Sequence, residues 1–313
     1  MGSPVEIREA PMQMALFERS VLFGDFAAHW MSRYSSPPWV TAYTAYIRAG
    51  HLRANVLPAI GHLALADITP AVLEQVQREM LGRLQLSTVK GIFQGVIGPI
   101  LRRAVRDGLI PAHPGGQLAW PRVQAEHPDP YTTAEVDRII DWFRRQKPDL
   151  EPTIALVMLA GLRPSEATAL RWSDIQGTHV SIDKSFVRDR VGKTKTVRSV
   201  RRITASRRLS AILERHRGEP GAWVACREDG LPYSTNRLGS YWMRRACAAL
   251  DIRRRGLYAG RRWKISDAIT KGASLGHVAA YCGTSVSKIE RSYYRYLGAL
   301  SDPGESPRKR HKG

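Results

Sequence analysis

Through the first third of the chain, apolar residues recur at three- and four-residue steps, the period that stacks side chains on one face of a helix. The stretches "FGDFAAHWMSRY" (23–34), "TAYTAYIRAGHLRANVLPAIG" (41–61), "DITPAVLEQVQREMLGRL" (67–84) and "STVKGIFQGVIGPILRRAVRDGLI" (87–110) each carry it. The second is expected to stop at Pro58 and Gly61. The third opens with Thr69 placed to cap, Pro70 suited to the first turn and Glu74 following. The fourth is expected to end at Gly108. Residues 1–20 show no clear period.

The pattern then breaks. "PAHPGGQLAWPRVQAEHPDP" (111–130) holds five prolines and two glycines in twenty residues, too many for a regular element, and is the natural linker. Helical periodicity restarts in "YTTAEVDRIIDWFRRQ", with Thr132 or Thr133 as the capping residue. "EPTIALVMLAGLRPSEATALRWSDI" (151–175) predicts two helices joined at a Gly-Leu-Arg-Pro turn. "HVSIDKSFV" (179–187) alternates and is rich in β-branched residues, so it predicts a strand. "VRSVRRITA" (197–205) predicts a second, with "DRVGKTKT" as the connection between them. Helices return after Ser206. The expected organisation is an unassigned segment 1–20, a helical domain 21–115, a linker 116–130, a mixed domain 131–300 and a basic tail 301–313. The fold class is mainly α, with a small antiparallel β-sheet in the second domain.

Charge changes the picture most. The 313 residues carry a formal charge of +20, with the basic residues spread along the chain rather than confined to the tail. That describes a basic folded surface, the electrostatic footprint of a nucleic-acid binder. Hydrophobic content of 43% is enough for real cores. Cys226, Cys247 and Cys282 lack metal-ligand spacing and read as reduced thiols of a cytosolic protein. No apolar run approaches the ~18 residues of a membrane span, and the N-terminus has no secretory pattern. There is no internal repeat, no phosphate-cradling G-x-x-x-x-G-K-[ST] loop and no acidic cluster of the metal-nuclease type, so neither nucleotide nor metal is expected as cofactor.

The candidate chemistry lies in the second half, in four segments. They are "GLRPSEATALRW" with Arg163 and Glu166, "GKTKTVRSVRRI" with Lys193 and Lys195, "LYAGRRWKISDAI" with Arg261 and Arg262, and "CGTSVSKIERSYYRY" with Tyr293. In this order they resemble the tyrosine recombinases, the phage-integrase family. That family's catalytic domain carries an arginine in a G-L-R-x-x-E turn, a lysine on a β-hairpin, an H-x-x-R box, a His or Trp after a glycine, and a near-terminal tyrosine nucleophile.

Carried over residue by residue, the resemblance implies Arg163 as first arginine, with Glu166 behind it, and Arg261 as second arginine. The pattern K-T-x-x-S-x-R is met by Lys195, Thr196, Ser199 and Arg201, which favours Lys195 over Lys193 as catalytic lysine. Gly283, Thr284, Ser285, Ile289, Glu290 and Tyr293 match a G-T-S-x-x-x-I-E-x-x-Y segment, with Tyr294 the rival nucleophile. Three positions depart from the pattern. Tyr258 stands where the box has histidine, Arg262 where His is common, and Thr284 at the His/Trp position. Tyr258 is taken as catalytic, with Arg262 and Thr284 supporting. Lys193, Arg198, Arg201, Lys90 and Arg53 are the candidate DNA-binding residues, and His277 reads as a helix-surface residue.

The resemblance covers roughly residues 22–300. It implies two domains clamping double-stranded DNA at attachment or recombination sites, a monomer in solution assembling as a homotetramer on DNA, a place at the nucleoid, and strand exchange through a 3′-phosphotyrosine. A type IB topoisomerase or hairpin resolvase uses the same core. A DNA-binding protein that kept the fold and lost catalysis is the reading from another class.

The physical chemistry agrees with those roles. Two guanidiniums can grip the non-bridging oxygens of a phosphodiester and face the charge that develops there. A phenol of pKa ~10 needs such neighbours to act as a nucleophile. A lysine can protonate the departing 5′-oxygen.

Overall fold

In the computed structural model the described residues are 21–116, 118–121, 129–187, 190–193 and 199–293. The chain divides into two compact units, residues 1–124 and 125–313.

The first unit is all-helical. Helices Phe23–Tyr34, Ala42–His51, Pro70–Leu81, Leu86–Ile92 and Gly98–Arg106 follow the apolar stripes. They bury Phe23, Trp30, Leu73, Met80, Ile97 and Leu101 in one core. Thr69 accepts the Val72 amide at 3.3 Å, with Pro70 at the helix start, as its position in the sequence implies. The second stripe does not stop at Pro58. It passes through a π-turn, Leu52–Val56, and continues as Leu57–Ile60. An identical device, Phe93–Ile97, precedes Pro99. In each case the residue just before the proline donates its amide five positions back, Leu57 to Leu52 and Gly98 to Phe93. The widened turn makes room for a ring that would otherwise meet the carbonyl four residues earlier. Helix Ala42–His51 buries none of its residues despite its apolar spacing.

The predicted linker is partly structured. Trp120 packs edge-on against Phe93, at 5.3 Å between ring centroids, and the Gln77 amide donates to the Ala119 carbonyl at 3.0 Å. Leu118 and Trp120 therefore pack, half-buried, against the first unit's core, where the apolar indole face is removed from water.

In the second unit the helix Glu151–Leu159 is buried along its whole length. A helix apolar all round belongs at the centre. It is flanked by Thr133–Gln146, Arg207–Arg215 and Tyr258–Thr270. Thr132, not Thr133, caps the first of these, through a reciprocal capping box with Glu135.

The strands differ from expectation. "HVSIDKSFV" divides at Asp183 into β2 (His179–Ile182) and β3 (Lys184–Val187). The segment read as a connection contains β4 (Arg190–Lys193), which pairs with β3 as a hairpin. β1 (Ile175–Gln176) and β5 (Arg201–Thr204) flank β2 in a three-stranded antiparallel sheet, with Ile182 opposite Arg201. The break places Val180 and Ile182 in the core and lets Lys184 reach Asp174 at 2.7 Å. Among the described residues, no helix is long and apolar enough to cross a membrane.

Candidate active site

The buried central helix ends at Leu159, and the chain turns at Gly161, which adopts φ +65°. Arg163 follows in extended conformation and Pro164 starts a short helix, Pro164–Ala167. Glu166 falls in the first turn and bends back to accept the Arg163 amide at 2.9 Å. The G-L-R-P-S-E string is thus a self-closing turn. Gly supplies the left-handed corner, Pro starts the helix, and Glu caps it.

Around this turn two guanidiniums close on one carboxylate, with a third nearby. Glu166 is 2% exposed and pairs with the side chains of both Arg163 and Arg201. Arg201 donates Nη2 to Glu166 Oε2 at 3.0 Å and Nη1 to Oε1 at 3.3 Å, a two-pronged contact. Burial pushes the Glu166 carboxyl upward. The hydrogen bonds and charge of Arg201, with the Arg163 amide and guanidinium, outweigh it and hold the group below the ordinary carboxylate range. Arg261, from helix Tyr258–Thr270, is 6% exposed and donates Nη1 to the Gly161 carbonyl at 2.6 Å. Burial first, and then the Arg163 and Arg201 charges, pull its pKa down. The cluster keeps an excess of positive charge with few partners, which is the electrostatic form of an anion site.

The candidate segment around Gly283 reaches the cluster through that glycine. Helix Leu275–Cys282 ends at Gly283 (φ +66°), whose carbonyl accepts Arg163 Nη2. Thr284 closes the cap by donating its amide to Ala279 at 2.9 Å. The next helix, Val286–Tyr293, is anchored by Ile289, 1% exposed among Ile265, Val278, Ala279 and Cys282. Tyr293 is its last residue. The side chains of Tyr293 and Lys193, and all of Lys195, Arg198, Tyr294 and Tyr296, lie outside the described residues; Lys193 is placed only as the last residue of β4.

The remaining candidates are more dispersed. Tyr258 is 52% exposed, so it is not a core aromatic. With Arg262, Arg253, Arg254, Arg255 and Asp129 it lines an open cleft of about 620 Å³. Arg255 is spent on Asp129 (2.7 Å) and Glu135 (2.9 Å), and Arg253 pairs with Asp129. Arg53 is exposed on the first unit, and Lys90 lies 5.6 Å over the Trp120 ring. His277 is a surface residue, stacked on Tyr281.

Arg201 is not where a DNA contact would be. Its side chain is 7% exposed, and its donors go to Glu166, the Ser199 carbonyl and the Tyr281 carbonyl. The signal was present in the strand period. Arg201 shares a face with buried Ile203, while Arg202 and Thr204 point outward. Sequence reasoning also passed over the Tyr281 carbonyl and Cys282, which is 1% exposed beside the arginines. Among the described residues no group of acidic, His or Cys side chains could hold a metal ion.

Residues 23–119 match the family model of the phage integrase central domain. No curated protein sequence matches the chain. Similar solved structures include the Tn1549 transposon integrase in complex with a circular intermediate DNA. It has a TM-score of 0.77 at 15% identity, over 88% of this chain and 95% of that one. A lambda integrase dimer bound to a COC′ core site gives 0.74 at 15% identity, over 94% and 83%. A lambda integrase tetramer bound to a Holliday junction gives 0.69 at 15%, over 90% and 81%.

Proposed function

We propose that this chain is a tyrosine recombinase of the phage integrase family, a reading supported by its central domain and its fold, and that it cuts and rejoins duplex DNA at specific sites through a 3′-phosphotyrosine. The observation that carries this is the meeting of Arg163 and Arg261 at the base of the helix that ends in Tyr293. Two guanidiniums around one point suit a phosphodiester, whose displacement spreads negative charge over its non-bridging oxygens.

In the proposed reaction the scissile phosphate sits on the Arg163–Arg261 pair. Tyr293 attacks phosphorus as its phenolate, its proton given up to solvent, and the phosphotyrosine forms as the bond to the 5′-oxygen breaks. Lys195, in the run between β4 and β5, gives that oxygen its proton. Glu166 carries no proton in this reaction and holds Arg163 in place. The phosphate ester bond energy is kept in the protein–DNA link, so rejoining is the same step reversed with a new 5′-hydroxyl. The cleft of Tyr258 and Arg262 beside Arg261 suits the neighbouring backbone phosphates, with the two units forming a core-binding domain and a catalytic domain. The solved relatives hold DNA, one of them as a tetramer on a Holliday junction. A tetramer on DNA is the assembly proposed for this chain.

The test is a duplex nicked just beyond the cleavage position, so that the released fragment diffuses away and traps the intermediate. A protein–DNA adduct that survives a denaturing gel is expected. A chain that binds the site and never forms the adduct is a binder that has lost catalysis, and a relaxed supercoiled plasmid without recombinant product marks a topoisomerase.

Affinity for the same duplex should fall steeply with salt, because the chain carries +20. Each phosphate neutralised contributes a log–log slope of about −0.9. A titration between low and moderate salt with a slope near zero would remove the basic surface as the source of binding.

A further inference from the structure

The Arg201 side chain makes more internal hydrogen bonds than any other in the site, and none of the roles above uses it. Its Nε donates to the Tyr281 carbonyl at 2.8 Å. Nη1 donates to the Ser199 carbonyl at 3.0 Å, and both terminal nitrogens grip Glu166. Three chain segments therefore end on one guanidinium: strand β5, the turn that presents Arg163, and the last turn of helix Leu275–Cys282. Two residues beyond Tyr281, the missing side chain of Gly283 leaves room for the same group. A Cβ there would lie 2.7 Å from Arg201 Nη1. The Gly283 carbonyl meanwhile accepts Arg163. Arg163, Glu166, Arg201 and the 281–283 turn form a closed ring.

We propose that Arg201 is a positioning residue that couples the phosphate-gripping Arg163 to the helix bearing Tyr293, rather than a contact to DNA. This rests on the recombinase reading of the site. The physical case is that Arg163 and the Val286–Tyr293 helix come from parts of the chain 120 residues apart, joined at the Arg163–Gly283 contact. An attack geometry needs both held to within a fraction of an ångström, and a misplacement near 1 Å can cost about 100-fold. A planar fork with five donors can brace three segments at once, which a lysine cannot. Without Arg201, Glu166 would keep its buried charge with Arg163 as its remaining partner, and the turn that presents Arg163 would lose its tie to β5 and to the Tyr281 carbonyl.

The experiment uses the full chain carrying Arg201→Met or Arg201→Lys, on the nicked duplex. Single-turnover adduct formation should fall about 100-fold in the Met variant and less in the Lys variant, while DNA affinity stays within about twofold and its salt slope is unchanged. The acid side of the pH–rate profile should also move to higher pH in the Met variant. With its strongest partner gone, Glu166 protonates at higher pH, and the anchoring present above that pKa is lost as pH falls through it. Adding Glu166→Gln to the Met variant should abolish that shift of the acid limb, because no carboxyl is left there to titrate.

Hydrogen exchange of the amides at 281–284 gives a readout independent of cleavage. Arg201→Met should speed it. If the wild type forms no adduct, the recombinase reading fails, and hydrogen exchange still decides the brace. If Arg201→Met weakens DNA binding and lowers the salt slope by about one phosphate, with unchanged exchange at 281–284, Arg201 is a DNA contact and the inference is wrong. Wild-type adduct rates and pH profile in Arg201→Met would overturn it equally.

Discussion

Tyr293→Phe is expected to abolish the covalent adduct and every recombinant product while leaving DNA affinity within about twofold. The change deletes one oxygen and keeps the ring, so folding loses little; surface changes of this size stay within about 0.5 kcal/mol. The nucleophile has no substitute in a transesterification, so the loss should exceed about 1000-fold. The register argues for Tyr293 over its neighbour. Ile289 anchors the helix in a buried cluster that includes Cys282, and Cys282 lies beside Arg261 and Arg201. Four residues on, Tyr293 returns to nearly the same side of the helix. Tyr294→Phe should therefore retain adduct formation. The opposite result, an active Tyr293→Phe beside a dead Tyr294→Phe, would shift the assignment by one residue. Two active single variants would end the phosphotyrosine mechanism for this chain.

Replacing Arg261 with Met should separate catalysis from stability. The rate of adduct formation should fall by about 1000-fold, since a preorganised charged donor at a developing negative charge is removed. The melting temperature should hold or rise. Arg261 is 6% exposed, has one carbonyl partner at 2.6 Å, and sits near two other arginines whose charges oppose its own. A buried charge in such company costs stability, and an apolar side chain of similar length is neutral or stabilising by about 1 kcal/mol or more. Inorganic phosphate or sulfate should raise the wild-type melting temperature by binding the folded site, and should raise that of Arg261→Met less. A variant that melts much lower and cleaves normally would make Arg261 a structural residue and remove it from the site.

Much of this protein is local, and local features are legible. The stripes of the first unit, Thr69 as a cap and a capping threonine before helix Thr133–Gln146 are each set by residues within a few positions of one another. Backbone sterics and one hydrogen bond at a time decide such features, and these act over three to five residues. The π-turns before Pro58 and Pro99 were equally local, but in sequence the first reads as a helix stop and the second as an unbroken helix.

What the sequence could not decide was pairing across distance. Nothing within "HVSIDKSFV" says that its two halves join different partners, because β2 finds β5 nineteen residues beyond Ile182 while β3 turns back on β4 at once. Trp120 looked like part of a linker until Phe93, 27 residues earlier, offered it a face. Arg201 is the sharpest case. In a chain with 48 basic residues, any one arginine reads as a DNA contact. Only the tertiary structure brings Glu166, Tyr281 and Gly283 within reach of it, and once its donors are filled and its side chain is 7% exposed, it has little left to offer a phosphate. The sequence determined the helical framework and the inventory of reactive groups, since those depend on neighbours along the chain. How many donors an arginine has left to offer depends on neighbours in space, and burial and hydrogen-bond satisfaction are fixed only when the chain is folded.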